Sequence, residues 1–230
     1  MKLTRIFKLL LPFVTLLLFI NASAQIDEVI FKNLKDVDTK RYAGIKGNCY
    51  LFKSFTEAKL YDLYGVQYDG IKINFNGEDK YMEVQKNEKQ YITAVPSTIP
   101  RIVIDDMSTV DRKELQFLDS LVFIHGSKLK SQSSYHILLC NKENRMLFLD
   151  FYVAMNAVTD QLPGQTVERK TFNRSYRLIL INEKGEKTFK MNKKDIINAL
   201  SIYGDFGKWC KKNKMKVNSI EAVTTFINET

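Results

Sequence analysis

Gly70-Ile71-Lys72-Ile73-Asn74-Phe75-Asn76-Gly77 is the stretch whose reading decides the fold. Ile71, Ile73 and Phe75 alternate strictly with Lys72 and Asn74, the period-two pattern of a strand with one face on a core and one in water. Asp69-Gly70 precedes the run and Asn76-Gly77 closes it. Both pairs supply the positive φ that tight hairpin turns require. Ala58 to Leu63 alternates in the same way, Met82 and Val84 face opposite to Tyr81, Glu83 and Gln85, and Tyr91-Ile92-Thr93-Ala94-Val95 follows. Strands this short and close imply an antiparallel meander, because parallel neighbours need long crossovers.

Working outward, strands are expected at Leu121–Ile124, Tyr135–Cys140, Met146–Val153 and Tyr176–Ile181. Met107 to Ser120 is charged without alternation and reads as a loop with a short helical turn. Asn141 to Asn144 and Glu183 to Glu186 read as hairpin turns, and Asp160 to Lys170, with Pro163-Gly164, as a longer exposed loop. The period changes after Met191. Asn192 can cap a helix whose positive end Asp195 favours, and Ile196, Ile197 and Leu200 share its face. Phe206, Trp209 and Cys210 repeat the helical spacing. Asn218-Ser219-Ile220-Glu221 reads as a capping box with Asn218 as the cap, and Ile220, Val223, Phe226 and Ile227 form the stripe behind it. The expected class is α+β: a mainly antiparallel sandwich or open-barrel meander within residues 25–190, then a small helical cap over 191–230.

The first 24 residues read as an address. Lys2, Arg5 and Lys8 precede an apolar run from Leu9 to Ile20, and Ala22-Ser23-Ala24 supplies the small residues of a cleavage site. That is the layout of a secretory signal peptide, with the exported chain starting at Gln25. The run is short for a span, which needs ~20 apolar residues, and no later segment reaches that length. The formal charge is +9, and Lys2, Arg5 and Lys8 carry three of it, so the remainder carries +6. Export to the periplasm, outer membrane or medium removes most of the case for nucleic acid. It leaves an envelope protein, a glycan or an anionic lipid as the partner classes. Cys49, Cys140 and Cys210 lie far apart with no C-x-x-C, so neither a zinc knuckle nor a thioredoxin-type site is indicated. At least one thiol is unpaired.

Four segments carry a resemblance: Lys46 to Leu51, Gly70 to Phe75, Ser175 to Leu178 with Lys187 to Ile196, and Trp209 to Lys216. Together they resemble a broad group of uncharacterised exported proteins of Bacteroidota. The resemblance implies export, a β-rich body and a Lys-Asn-Lys-bearing helical tail. It brings no activity and no catalytic residues. Asn48-Cys49 stands where that group commonly has Ser-Pro.

Catalytic signatures are few. His125 and His136 have no second histidine at helical or strand spacing, and no G-x-S-x-G occurs. Asp105-Asp106, with Asp111 nearby, could act as an acid–base pair on glycans, although adjacent aspartates in a strand point to opposite faces. Cys140 could meet His125 in space. Neither cofactor nor metal is implied. The expected interaction surface is Lys184 to Lys216, with ten lysines against three acids. Its candidate binding residues are Lys208, Trp209, Lys211, Lys212, Lys214 and Lys216. Such a face suits anionic lipid or glycan, or is simply solvated, with Trp209 and Phe206 serving the core. The primary expectation is a non-enzymatic envelope binding or accessory module, one form of which pairs an exposed strand edge with a partner. The alternative is a small envelope hydrolase acting on glycans or peptides.

Overall fold

The computed structural model describes residues 36–38, 40–85, 91–93, 98–125, 134–142, 144–162 and 165–230, with side chains given for all but 91–93, 158, 160–162 and 165–168. The expected signal peptide and Gln25 lie outside these residues, as do Ala94, Val95, Pro163 and Gly164.

The described strands are β1 Thr56–Tyr61, β2 Gln67–Asn76, β3 Tyr81–Gln85, β4 Tyr91–Thr93, β5 Arg101–Ile104, β6 Leu121–Ile124, β7 His136–Lys142, β8 Arg145–Leu162, β9 Gln165–Asn182 and β10 Gly185–Lys190. They form one antiparallel sheet in the order β10-β9-β8-β7-β6-β5-β1-β2-β3-β4. The chain meanders from β1 to β4, returns to lay β5 on the free side of β1, and meanders outward to β10. Helices α1 Lys193–Leu200, α2 Phe206–Lys212 and α3 Ile220–Glu229 follow. They pack on β10 and β7 as a cap, so the α+β reading holds.

The sheet is not flat. With strands about 4.8 Å apart, β2 and β8 would lie roughly 24 Å apart across five spacings. Instead the Phe75 ring on β2 lies 6.2 Å from the Phe151 ring on β8. The sheet therefore curls into an open barrel around Phe52, Phe75, Phe123 and Phe151. The β2–β3 turn lands on β8, where the Val153 N–H donates to the Gly77 carbonyl at 2.9 Å. Beside it Lys80 Nζ donates to the buried Asp150 carboxylate and, at 2.7 Å, to the Phe151 carbonyl. The segment before β1 laces the gap. Lys46 bridges to Thr171, Tyr50 to Asn76, and Phe52 to Val110.

Four local expectations change. Asp69-Gly70 is not a turn: the β1–β2 register shifts there, and Gly70, at φ 71, sits in a bulge inside β2. The turn lies earlier, where the Asp62 carboxylate accepts from the Tyr64 and Val66 N–H groups at 2.9 Å each, with Gly65 at φ 80. Gly77 is needed for space rather than φ. A Cβ there would meet Phe151 Cε1 at 2.5 Å and Val153 Cγ2 at 2.8 Å. Within the expected loop from Asp160 to Lys170, Asp160–Leu162 and Gln165–Lys170 are strand: β8 and β9 stay paired from Met146–Ile181 out to Leu162–Gln165 as a long ribbon. The α3 cap is Ser219, which accepts from the Ala222 N–H at 3.0 Å, one residue later than expected. Asn192 caps α1 as expected.

Gly77→Ala is expected to lower unfolding stability by about 1–3 kcal/mol through overpacking against the buried Phe151 and Val153. Denaturant unfolding with an unchanged midpoint would show that the hairpin does not press on β8.

Candidate functional site

The lysine face sits where helical spacing puts it. Lys208, Lys211, Lys212, Lys214 and Lys216 are all exposed on α2 and the turn after it. Trp209 does not join them as an open aromatic edge. Its ring stacks on Phe206 at 6.0 Å and meets Phe226 at 5.4 Å, and its Nε1–H donates to Glu229 at 2.9 Å. Trp209 therefore ties α2 to α3.

Asp105 and Asp106 line a shallow pocket of about 260 Å³ with Glu57 and Asp69, while Asp111 lies apart, on Arg174. Asp105 pairs with Lys59 at 2.7 Å, and Asp106 accepts from the Ser108 hydroxyl and N–H. Those Ser108 hydrogen bonds hold the Asp106 carboxyl below its usual range, the opposite of what a general acid needs. Cys140 Sγ donates to Asn228 of α3 at 2.8 Å. His136, not Cys140, lies opposite Ile124 at the end of β6, which places Cys140 about five residues, roughly 17 Å, along the strand from His125. All three cysteines are buried free thiols. Among the described residues no group of three or more His, Cys, Asp or Glu is placed to hold a metal ion, and no helix is long and apolar enough to cross a membrane.

A buried charge cluster sits on the outer face of β7–β9. The Asp150 carboxylate accepts from Lys80 and, at 2.5 Å, from Arg177 Nε, and His136 Nε2 lies 3.9 Å away. Arg177 and Lys80 also flank the Tyr152 ring, at 5.2 and 5.4 Å from its centroid. Lys80 and Arg177 close on buried Asp150, which suits holding the barrel shut, while the Nδ1 of buried His136 has no hydrogen-bond partner.

Among several surface cavities of about 260–350 Å³, one of about 350 Å³ lies between β9, the 112–117 turn and the start of α3. That is the lower end of the roughly 300–1,000 Å³ typical of small-molecule sites. Along β9 the inward face runs Leu180, Leu178, Tyr176, Arg174, changing from core to polar at the rim. Tyr176 packs its ring 5.5 Å from Phe151, and burial pushes its phenol well above the usual range, so it stays protonated. Arg174 donates from Nε to the Asn48 carbonyl and from Nη1 to Asp111, both at 2.7 Å. The Arg174 hydrogen bond holds the Asp111 carboxyl below its usual range. Arg112 lies across the Tyr176 ring at 5.6 Å. Phe117, Met191 and Ile220 give the cleft apolar lining. Among the described residues four buried side-chain atoms have no hydrogen-bond partner: Arg41 Nε and His136 Nδ1 lie elsewhere, and Tyr176 Oη and Arg112 Nε belong to residues that line this cleft. Unpaired buried donors are uncommon and costly, about 1–3 kcal/mol each.

Sequence reasoning missed this cleft. The strand read as Tyr176–Ile181 stops two residues short of Arg174. The available signal was an arginine on the same strand parity as Leu178 and Leu180. Arg112 carried no signal within its charged segment. No protein-family model matches the chain, and no curated protein or solved structure matches it.

The charge cluster has a pH signature. Burial, aided by Lys80 and Arg177 and opposed by Asp150, holds His136 below its ordinary value of 6.5. Below about pH 6.5 the unfolded chain takes up a proton that the folded chain refuses, so stability falls as pH falls through that window. The slope from one group is at most about 1.4 kcal/mol per pH unit. Unfolding between pH 7.5 and 5.5 should show this slope in the wild type and lose it in His136→Gln. Parallel slopes in the two proteins would contradict the assignment.

Proposed function

We propose that this chain is an exported cell-envelope protein that works by binding rather than by catalysis, with the cleft beside Tyr176 as its ligand seat. The observation that carries the reading is the meeting of two buried donors without an acceptor, Tyr176 Oη and Arg112 Nε, in a cleft with apolar lining. Buried donors left open inside a shaped cavity suit a group that arrives with acceptors. The proposed location rests on the Lys2-to-Ala24 signal layout, and the envelope classes of partner follow from it.

A second reading draws on the ribbon. Beyond its pairing with β7, which ends at Leu149, β8 runs on to Leu162. β10 covers β9 only from Arg177 onward. Much of each ribbon edge therefore lies beyond the neighbouring strands, and such edges are where a strand from an envelope protein could add.

Capture from cross-linked envelopes separates these surfaces. Three baits are compared with the wild type: Arg112→Glu with Tyr176→Phe, reversal of Lys208, Lys211, Lys212, Lys214 and Lys216, and a chain with the ribbon shortened at Ala157 and Lys170. The cleft reading expects the bound component to be lost from the first bait and retained by the other two. Loss from the lysine bait alone would move the function to α2, and loss from the shortened ribbon alone would move it to the strand edge. Retention by all three would sink the binding reading at each surface.

A further inference from the structure

We propose that the cleft takes a singly charged carboxylate carried on a small apolar body, an assignment that rests on the binding reading above. Three features select that chemistry.

The first is polarity of the hydrogen bonds. Arg112 Nε–H can only donate, and the Tyr176 hydroxyl, protonated in this setting, has a proton to give. A carboxylate brings acceptors alone, and its two oxygens can take one bond from each group. An amide would also bring donors, for which the two groups offer little.

The second is charge. Arg174 already faces Asp111 and the Asn48 carbonyl, so it is committed. The remaining lining charges are Arg112 and Lys113 against Glu114 and Glu221. One negative charge can sit on Arg112. A second, as on a phosphate, would meet the two glutamates with only exposed Lys113 to offset it. The first turn of α3 adds little positive field, because its Ala222 N–H is held by Ser219 and Glu221 stands beside it.

The third is the lining. Phe117, Met191 and Ile220 offer apolar surface to the rest of the ligand, and burying that surface adds about 25 cal/mol per Å².

Access requires one movement. In this conformation Arg112 lies across Tyr176 and both orphan atoms are screened from bulk water. Rotation of the Arg112 side chain uncovers the hydroxyl. It exchanges a cation–π contact for a charge-assisted hydrogen bond, the stronger of the two.

The test is a titration of the protein, labelled with ¹³C at its methionine methyls, followed at the Met191 signal, which Met191→Leu identifies. The probes are hexanoate, hexanamide and inorganic phosphate. Hexanoate should shift Met191 saturably. Hexanamide should bind at least tenfold more weakly, and phosphate should give no saturable shift. Tyr176→Phe and Arg112→Gln should each weaken hexanoate by about tenfold or more. Tyr176→Phe should also keep or raise Tm, because the hydroxyl it removes has no partner in the folded chain. A structural tyrosine would behave in the opposite way.

Phosphate matching hexanoate, or hexanamide matching it, overturns the carboxylate class while leaving the cleft as a ligand seat. A Tm drop in Tyr176→Phe with hexanoate affinity unchanged overturns the role of the hydroxyl. Absence of any probe shift overturns the carboxylate class. The envelope-capture result for the same cleft residues then decides whether the binding reading survives.

Discussion

The contact between the β2–β3 turn and β8 is the constraint on which the rest of the molecule depends. A ten-stranded antiparallel sheet has no intrinsic reason to bring its second and eighth strands together. Here it does so because Gly77 lets two backbones approach, and because Lys80, held at φ 63, reaches the buried carboxylate of Asp150. The left-handed backbone at Lys80 costs roughly 1–2 kcal/mol. Buried ion pairs are weak net stabilisers, yet removing one partner costs about 3–5 kcal/mol, since it strands the other charge. The pair therefore acts chiefly on placement: the hairpin has one landing point on β8.

Closing the curl shapes the candidate site. It gives β9 an inner face that starts in the core at Leu180 and Leu178 and reaches the rim at Tyr176 and Arg174. Arg174 then holds the lacing segment through the Asn48 carbonyl and the 107–115 turns through Asp111. The helical cap, tied together by Trp209 between Phe206 and Phe226, sets Ile220 across from that rim. The cleft is thus built from a strand, a turn and a helix end that lie far apart in sequence. Each is positioned by contacts outside the cleft, the arrangement in which a rigid scaffold leaves a few polar groups open.

The fold class was legible because it rests on local periodicity. Ile71, Ile73 and Phe75 announce a strand wherever they are placed, and Asn192 announces a helix start. The curl was not legible, because nothing in Asn76-Gly77 says which distant strand will press on the glycine. Asp69-Gly70 misled for a related reason: a positive-φ glycine serves a bulge as well as a turn, and only the cross-strand register tells them apart. The ribbon was hidden because Pro163-Gly164 read as the centre of a loop, and sequence alone does not say how far the flanking residues stay paired. For the site, the lysines of α2 were visible as composition, while Tyr176 and Arg112 become notable only through the lack of a partner. That property belongs to three-dimensional surroundings and has no sequence signature.

The most direct test of the central claim is a crystal structure of the protein grown in hexanoate. The carboxylate is expected within hydrogen-bond distance of Tyr176 Oη and Arg112, the alkyl chain against Phe117, Met191 and Ile220, and Arg112 rotated off the tyrosine ring. Hexanoate absent from the cleft, with Arg112 still lying across Tyr176, would contradict it.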